Sequence, residues 1–137
     1  MDPGEARRRF AAARVAHLAT AGLTGQPHVV PVTFAIDGDW LYTAVDHKPK
    51  RTTALKRLAN IEQNARVALL VDEYSDDWSR LWWARADGSA LVHERHERAV
   101  ELLVARYEQY RDRWPDGPVI AVAVDRWSGW TADRRLI

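Results

Sequence analysis

Three lysines are present in the chain, Lys48, Lys50 and Lys56, and all lie within one short stretch, WLYTAVDHKPKRTTALKRLANI from Trp40 to Ile61. Arg51 stands beside them, so Lys48-Pro49-Lys50-Arg51 gathers three cations in four residues. Such a cluster suits an anion, and its setting narrows the choice. Before it, Trp40, Tyr42 and Ala44 alternate with Leu41, Thr43 and Val45 as in a strand; after it, Leu55, Leu58 and Ile61 follow helical spacing. Thr52 or Thr53 can cap that helix, whose free N–H groups and positive dipole end attract phosphate. The same residues also fit a solvated basic turn between a strand and a helix.

Other chemistries find less support. His93 and His96 are three apart at a strand-to-helix junction, whereas a helical zinc-protease pair needs four, so no metal site is assigned. Asp76-Asp77 reads as a solvated acidic pair. No cysteine, G-x-S-x-G elbow, Walker loop or G-x-G-x-x-G fingerprint occurs, which removes thiol chemistry, the hydrolase elbow and the common nucleotide folds. Seven tryptophans are present, six of them between Trp78 and Trp130, interleaved with Arg80, Arg85 and Arg126. Trp82 and Trp83 are neighbours in a strand, so one must point outward, as at a subunit contact or the wall of a planar ligand.

The elements that position these groups follow from pattern. Asp2-Pro3-Gly4-Glu5 starts a helix that runs to Val15. Strands are expected over Val15–Thr20, Pro27–Ile36, Trp40–Val45, Arg66–Glu73, Trp78–Arg95 and Pro118–Thr131, with a bulge near Asp87-Gly88. Asp37-Gly38 is a hairpin turn, Asn64 offers a left-handed connector, and RVALLVDE reads as buried on both faces. Pro31 interrupts its strand, which marks an edge, a bulge or a place where a ligand replaces a neighbour. A second helix follows Thr52, and a third spans His96–Arg111 with Ala99, Leu102, Leu103, Arg106 and Tyr110 on one face.

Short links favour an antiparallel, closed sheet, and 137 residues fit one domain, 1–137. The fold class expected is mainly β (α+β): a six-stranded split β-barrel, antiparallel and Greek-key-like, with inserted helices. Net charge is +1, which argues against a general polyanion binder, so no nucleic-acid partner is expected. No uninterrupted apolar run is long enough for a membrane span, and Asp2, Glu5, Arg14 and His17 argue against a signal peptide; a cytoplasmic protein with no membrane partner is expected.

The "G-x-P-x-x-x-P-V" strand at Gly25–Val32, the hairpin, the "K-x-K-R-T-x-x-L" segment at Lys48–Leu55 and the "N-x-R-V-A-L-L-V-D" strand at Asn64–Asp72 come in an order that resembles the pyridoxamine 5′-phosphate oxidase-like superfamily. Within it, the stretch from Val15 to Val92 is similar to the short deazaflavin (coenzyme F420)-dependent oxidoreductases. The resemblance implies a homodimer with the cofactor between its subunits. It implies that the phosphate end meets Lys48, Lys50, Arg51 and Thr52, and that the ring lies against Pro31, Val32 and Thr33, with Trp78 supplied by the partner. The activity implied is hydride transfer between F420 and a small unsaturated substrate. FMN is the alternative cofactor, a flavin-binding protein without turnover or a non-enzymatic binding barrel the alternative role. Further contacts and the C-terminal segment of pyridoxamine phosphate oxidases proper are not matched, which favours the shorter branch. Solvent, Tyr42, His28 and His47 stand as proton sources for the product, with none preferred.

Overall fold

In the computed structural model, residues 1–45 and 52–133 are described, with backbone alone for 52–55. Seven strands form one antiparallel sheet: β1 (Ala16–Ala21), β2 (Pro27–Val32), β3 (Ala35–Asp37), β4 (Trp40–Ala44), β5 (Arg66–Glu73), β6 (Trp82–His93) and β7 (Val119–Thr131). Their order across the sheet is β2-β1-β5-β6-β7-β4-β3. The fold is the expected antiparallel barrel with helices, but with seven strands instead of six. The extra one arises because Pro27–Ile36 is not continuous. It breaks at Thr33-Phe34, and its two halves, β2 and β3, lie at opposite ends of the sheet. Two residues therefore join the two free edges, and the sheet must curl around them.

Helix α1 (Pro3–Ala12) starts as its sequence indicates: the Asp2 carboxylate accepts the Glu5 N–H at 2.8 Å, and Pro3 sits where no intrahelical donor is needed. Its Ala6 and Phe10 are fully buried and plug the barrel, with Phe10 edge-on to Phe34 (5.1 Å) and Trp127 (5.4 Å). Around them pack Leu18, Leu69, Val71, Ala86, Ile120 and Val122. Helix α2 (Thr52–Gln63) contributes Ile61 to this core, and the buried Asn60 amide donates to Thr20 Oγ1 at 3.0 Å. Leu23 N–H donates to Gln63 Oε1 at 2.9 Å. The C-terminal end of α2 is thus pinned to the β1–β2 turn.

A second core lies outside the barrel, where α3 (Glu97–Arg106) lays Ala99 and Leu103 against Tyr42, Ala44, Val119 and Ala121. This is why β4 is buried on both faces from Leu41 to Ala44. The third helix is shorter than its pattern indicates. It ends at Tyr107, which takes an extended conformation, and a four-residue helix α4 (Gln109–Asp112) follows.

Other expectations are corrected by packing. β5 is not buried on both faces: Val67, Leu69 and Val71 point in, while Leu70 and Asp72 point out. Asn64 is not left-handed, since no described residue other than glycine has positive φ. It keeps helical bonding to the Asn60 carbonyl (2.8 Å) and accepts the Arg66 N–H on its side chain (3.1 Å). Trp78–Arg80 is not extended but a 3-10 turn capped by Asp77. Ser79 donates to that carboxylate from Oγ (2.7 Å) and N–H (3.1 Å), which holds its pKa below the usual range. Gly38 takes φ 63° in the β3–β4 hairpin. The irregularity foreseen at Asp87-Gly88 is present as a register shift against β7.

Candidate functional site

Strand register places the break beside the start of the basic segment. Ala35 pairs with Tyr42 and Asp37 with Trp40, so extending this register by two residues sets Thr33 beside Ala44. The strand ends there, Val45 N–H donates to the Pro118 carbonyl at 2.8 Å, and the chain enters the basic stretch. Gly117 fits against this exit because a Cβ on it would press on the Val45 carbonyl at 3.0 Å. One corner of the molecule thus holds the strand break, the exit of β4 and the loop Gly117-Pro118.

The residues at the break differ in what they present. Pro31 is exposed on the edge strand opposite His17, where its missing N–H costs no internal ladder bond. Val32 faces the core and is 7% exposed. Thr33 is half-buried, and its Oγ1 lies 2.9 Å from Tyr110 Oη. Lys48, Lys50, Arg51 and His47 lie outside the described residues, as does the Thr52 side chain, although Thr52 does begin α2.

Both backbone groups of Phe34 are met by one phenol. Phe34 N–H donates to Tyr107 Oη at 3.1 Å, and that hydroxyl faces the carbonyls of Phe34 and Arg14, each at 3.0 Å. A phenol has one hydrogen, so the two carbonyls share it while Oη accepts from Phe34 N–H and Arg106 Nε (3.1 Å). The Arg106 guanidinium also donates to the Ala13 carbonyl and lies 4.9 Å from the Phe34 ring centroid. Tyr107 is not among the residues that sequence pattern singles out. The signal available was two tyrosines three apart at a helix end, which also fits ordinary core packing.

Trp78 belongs to a different stretch, the 3-10 turn that precedes β6. It is 69% exposed in the turn before β6, next to the Trp82 end of that strand. The exit of β4 is at the opposite end of β6, since Ala44 pairs with Val119 and Val119 with His93. Twelve residues of strand separate the two ends, roughly 36 Å along the chain. From the β2 side of the break the register runs to the other end, since Pro31 leads through His17 and Leu70 to Arg85, three residues from Trp82.

Near Trp78 the tryptophan pair behaves as alternation requires. Trp82 packs on the core under the Arg9 guanidinium (5.2 Å), whereas Trp83 faces out, paired across the ladders with Asp72 and Trp130. Trp83, Trp130, Tyr74 and Leu70 line a cleft of about 330 Å³, and Arg85 lies over the Trp83 ring at 5.6 Å while pairing with Asp87 at 3.0 Å. Pro31, His17, Leu70 and Arg85 follow one another strand by strand on the same outward face.

Of the proton-donor candidates, Tyr42 is 6% exposed beneath α3, its ring 4.7 Å from that of His96. Burial first, and then the Asp37 charge, push its pKa up and keep it protonated. His96 caps α3, its Nδ1 accepting the Ala99 N–H at 3.1 Å, and His93 meets it edge to face at 5.1 Å. Among the described residues no group of three or more potential ligands gathers around a metal position. No described helix is long and apolar enough to cross a membrane.

A sheet whose free edges are two halves of one strand, with helices at both ends, is a shape shared with known proteins. The family model for pyridoxamine 5′-phosphate oxidase matches residues 3–131. The chain belongs to the pyridoxamine 5′-phosphate oxidase family. Solved structures of similar fold include a conserved hypothetical protein from Mycobacterium tuberculosis (20% identity, 99% of this chain and 88% of that one, TM-score 0.75). Another is an FAD-binding protein from Mesorhizobium loti (22% identity, 94% of each chain, TM-score 0.72). A third is HutZ, the heme storage protein of Vibrio cholerae (16% identity, 96% and 95%, TM-score 0.71). At these identities the likeness is one of fold. No protein of curated function matches the sequence significantly.

Proposed function

We propose that this member of the family binds a planar, phosphorylated redox cofactor, coenzyme F420 in the first place and FMN as the alternative, and uses it to move a hydride to or from a small unsaturated substrate. One observation carries the reading: the strand break at Thr33-Phe34 lies beside the exit of β4, from which Lys48, Lys50 and Arg51 follow. In this reading a ring rests against Pro31, Val32 and Thr33, and its phosphate is bound by Lys48, Lys50, Arg51 and the N-terminus of α2. When bound, the cofactor supplies the redox chemistry; the chain binds, orients and keeps water from the reacting face.

The active unit in this reading is a homodimer. In this reading Trp78, which precedes the aromatic cleft at the Trp82 end of β6, is supplied by the partner subunit. The outward row Pro31, His17, Leu70 and Arg85 offers the surface for that contact. Binding without turnover is the second reading, favoured by the likeness to an FAD-binding and a heme storage protein.

Titration of the purified protein with F420 and with FMN, followed by tryptophan quenching, tests the proposal. Saturable quenching by F420 with a weak response to FMN is the expected result, and no response to either removes both redox readings. Lys50→Ala and Arg51→Ala should each weaken binding by roughly 1–3 kcal/mol through lost charge-assisted bonds. Parent-like affinity in both variants would dismiss this phosphate loop. Turnover assays with reduced F420 and unsaturated acceptors then separate an enzyme from a carrier.

A further inference from the structure

We propose that Tyr110 is a positioning residue, whose phenol holds the Thr33 side chain and so fixes the bend on which the cofactor wall is presented. The inference rests on the cofactor reading above and adds a residue to it.

Thr33 and Phe34 belong to no strand, although they join the two edges of the sheet. Ladder bonds fix their neighbours, so something else must fix the bend itself. At Phe34 this is Tyr107, which engages both the N–H and the carbonyl. At Thr33 it is Tyr110, 2.9 Å from Oγ1. The two tyrosine rings stand edge to face at 5.9 Å, and Tyr107 is itself held under the Arg14 guanidinium at 4.6 Å. Tyr110 therefore reaches Thr33 from a braced position.

The two contacts differ in consequence. Tyr107 is buried and satisfies backbone groups, so its loss is a stability defect. Tyr110 and Thr33 are both half-buried, and their bond joins two side chains. Its loss leaves the backbone bonding of the fold intact but frees the Thr33 rotor and the local torsions of the bend. A wall held in one conformation binds a rigid planar ring better than one that must first be ordered.

The test uses the full-length chain with FMN and F420 as probes, and the variants Tyr110→Phe, Thr33→Val, Thr33→Ser and the Tyr110→Phe/Thr33→Val pair. Expected are about tenfold weaker binding of the preferred cofactor in Tyr110→Phe and in Thr33→Val. The double variant should be no worse than either single change, Thr33→Ser should bind like the parent, and the visible band of the bound cofactor should shift in the weakened variants. A lowered melting temperature with unchanged affinity and spectrum would overturn the proposal, as would additive losses in the double variant. Should Tyr110→Phe unfold, Thr33→Val alone decides by the same two readouts. A parent protein that binds neither probe ends the cofactor reading and this inference together; a parent that binds while the variants match it ends only this inference.

Discussion

Tyr107 concentrates more of the structure in one atom than any other described side chain. Its hydroxyl meets Phe34 N–H, the Phe34 and Arg14 carbonyls and Arg106 Nε, and these groups come from three separate stretches of chain. Tyr107→Phe removes that oxygen without opening a large cavity, and leaves Phe34 N–H without a partner in the core. A loss of about 2–4 kcal/mol is expected in urea unfolding, since each orphaned buried group costs roughly 1–3 kcal/mol. A loss well under 1 kcal/mol would mean that water takes the hydroxyl's place. Tyr42 makes a second prediction at this scale. Its pKa is raised by burial and by Asp37, so its protonated form is favoured by folding. That contribution is fully present below the unfolded value of about 10 and is lost as pH rises through the raised folded one. Melting temperature should therefore fall above pH 10 in the parent, and less steeply in Tyr42→Phe. Identical alkaline slopes would contradict the assignment.

Among the elements, β6 and β7 form the long central pairing of the sheet, and their register shifts at Asp87-Gly88. Gly88 lies so near the Ala123 carbonyl that a Cβ there would collide with backbone, which cannot swing aside as a side chain can. Gly88→Ala should cost about 1–3 kcal/mol by overpacking, read as a lower denaturant midpoint. A neutral effect would show that the ladder can move. The bend between β2 and β3 is the other decisive element. Pro31 signals an irregular strand, and the family resemblance implies a ring against Pro31, Val32 and Thr33. The pattern nevertheless reads Pro27–Ile36 as one strand, because its period of two runs through Thr33-Phe34 without a turn residue. Local pattern records which face a residue takes, not which strand lies beside it.

At the scale of the molecule, the prediction concerns association. Leu70 is exposed on the outward row between His17 and Arg85. A carboxylate there would be costly to bury against a second copy and harmless in a monomer. Leu70→Asp should keep the parent's circular dichroism, shift the molecular mass in light scattering from dimer to monomer, and weaken cofactor binding with it. A monomeric parent, or a dimeric variant with parent-like affinity, would refute a shared site.

By itself the sequence determined the start of α1, the hairpin, the split of Trp82 and Trp83 between two faces, the cation cluster and the family, because these depend on neighbours a few residues apart or on their order along the chain. Asp2 caps α1 and Trp82 and Trp83 divide between core and surface just as local rules require. Only the tertiary structure decided that β2 and β3 lie at opposite edges, that Ala35 just past the bend pairs with Tyr42 near the exit of β4, and that a phenol 73 residues beyond Phe34 completes the bend. Those facts belong to long-range packing: a broken ladder leaves polar backbone to be satisfied, and which distant side chain does so is chosen by how the helices settle on the sheet.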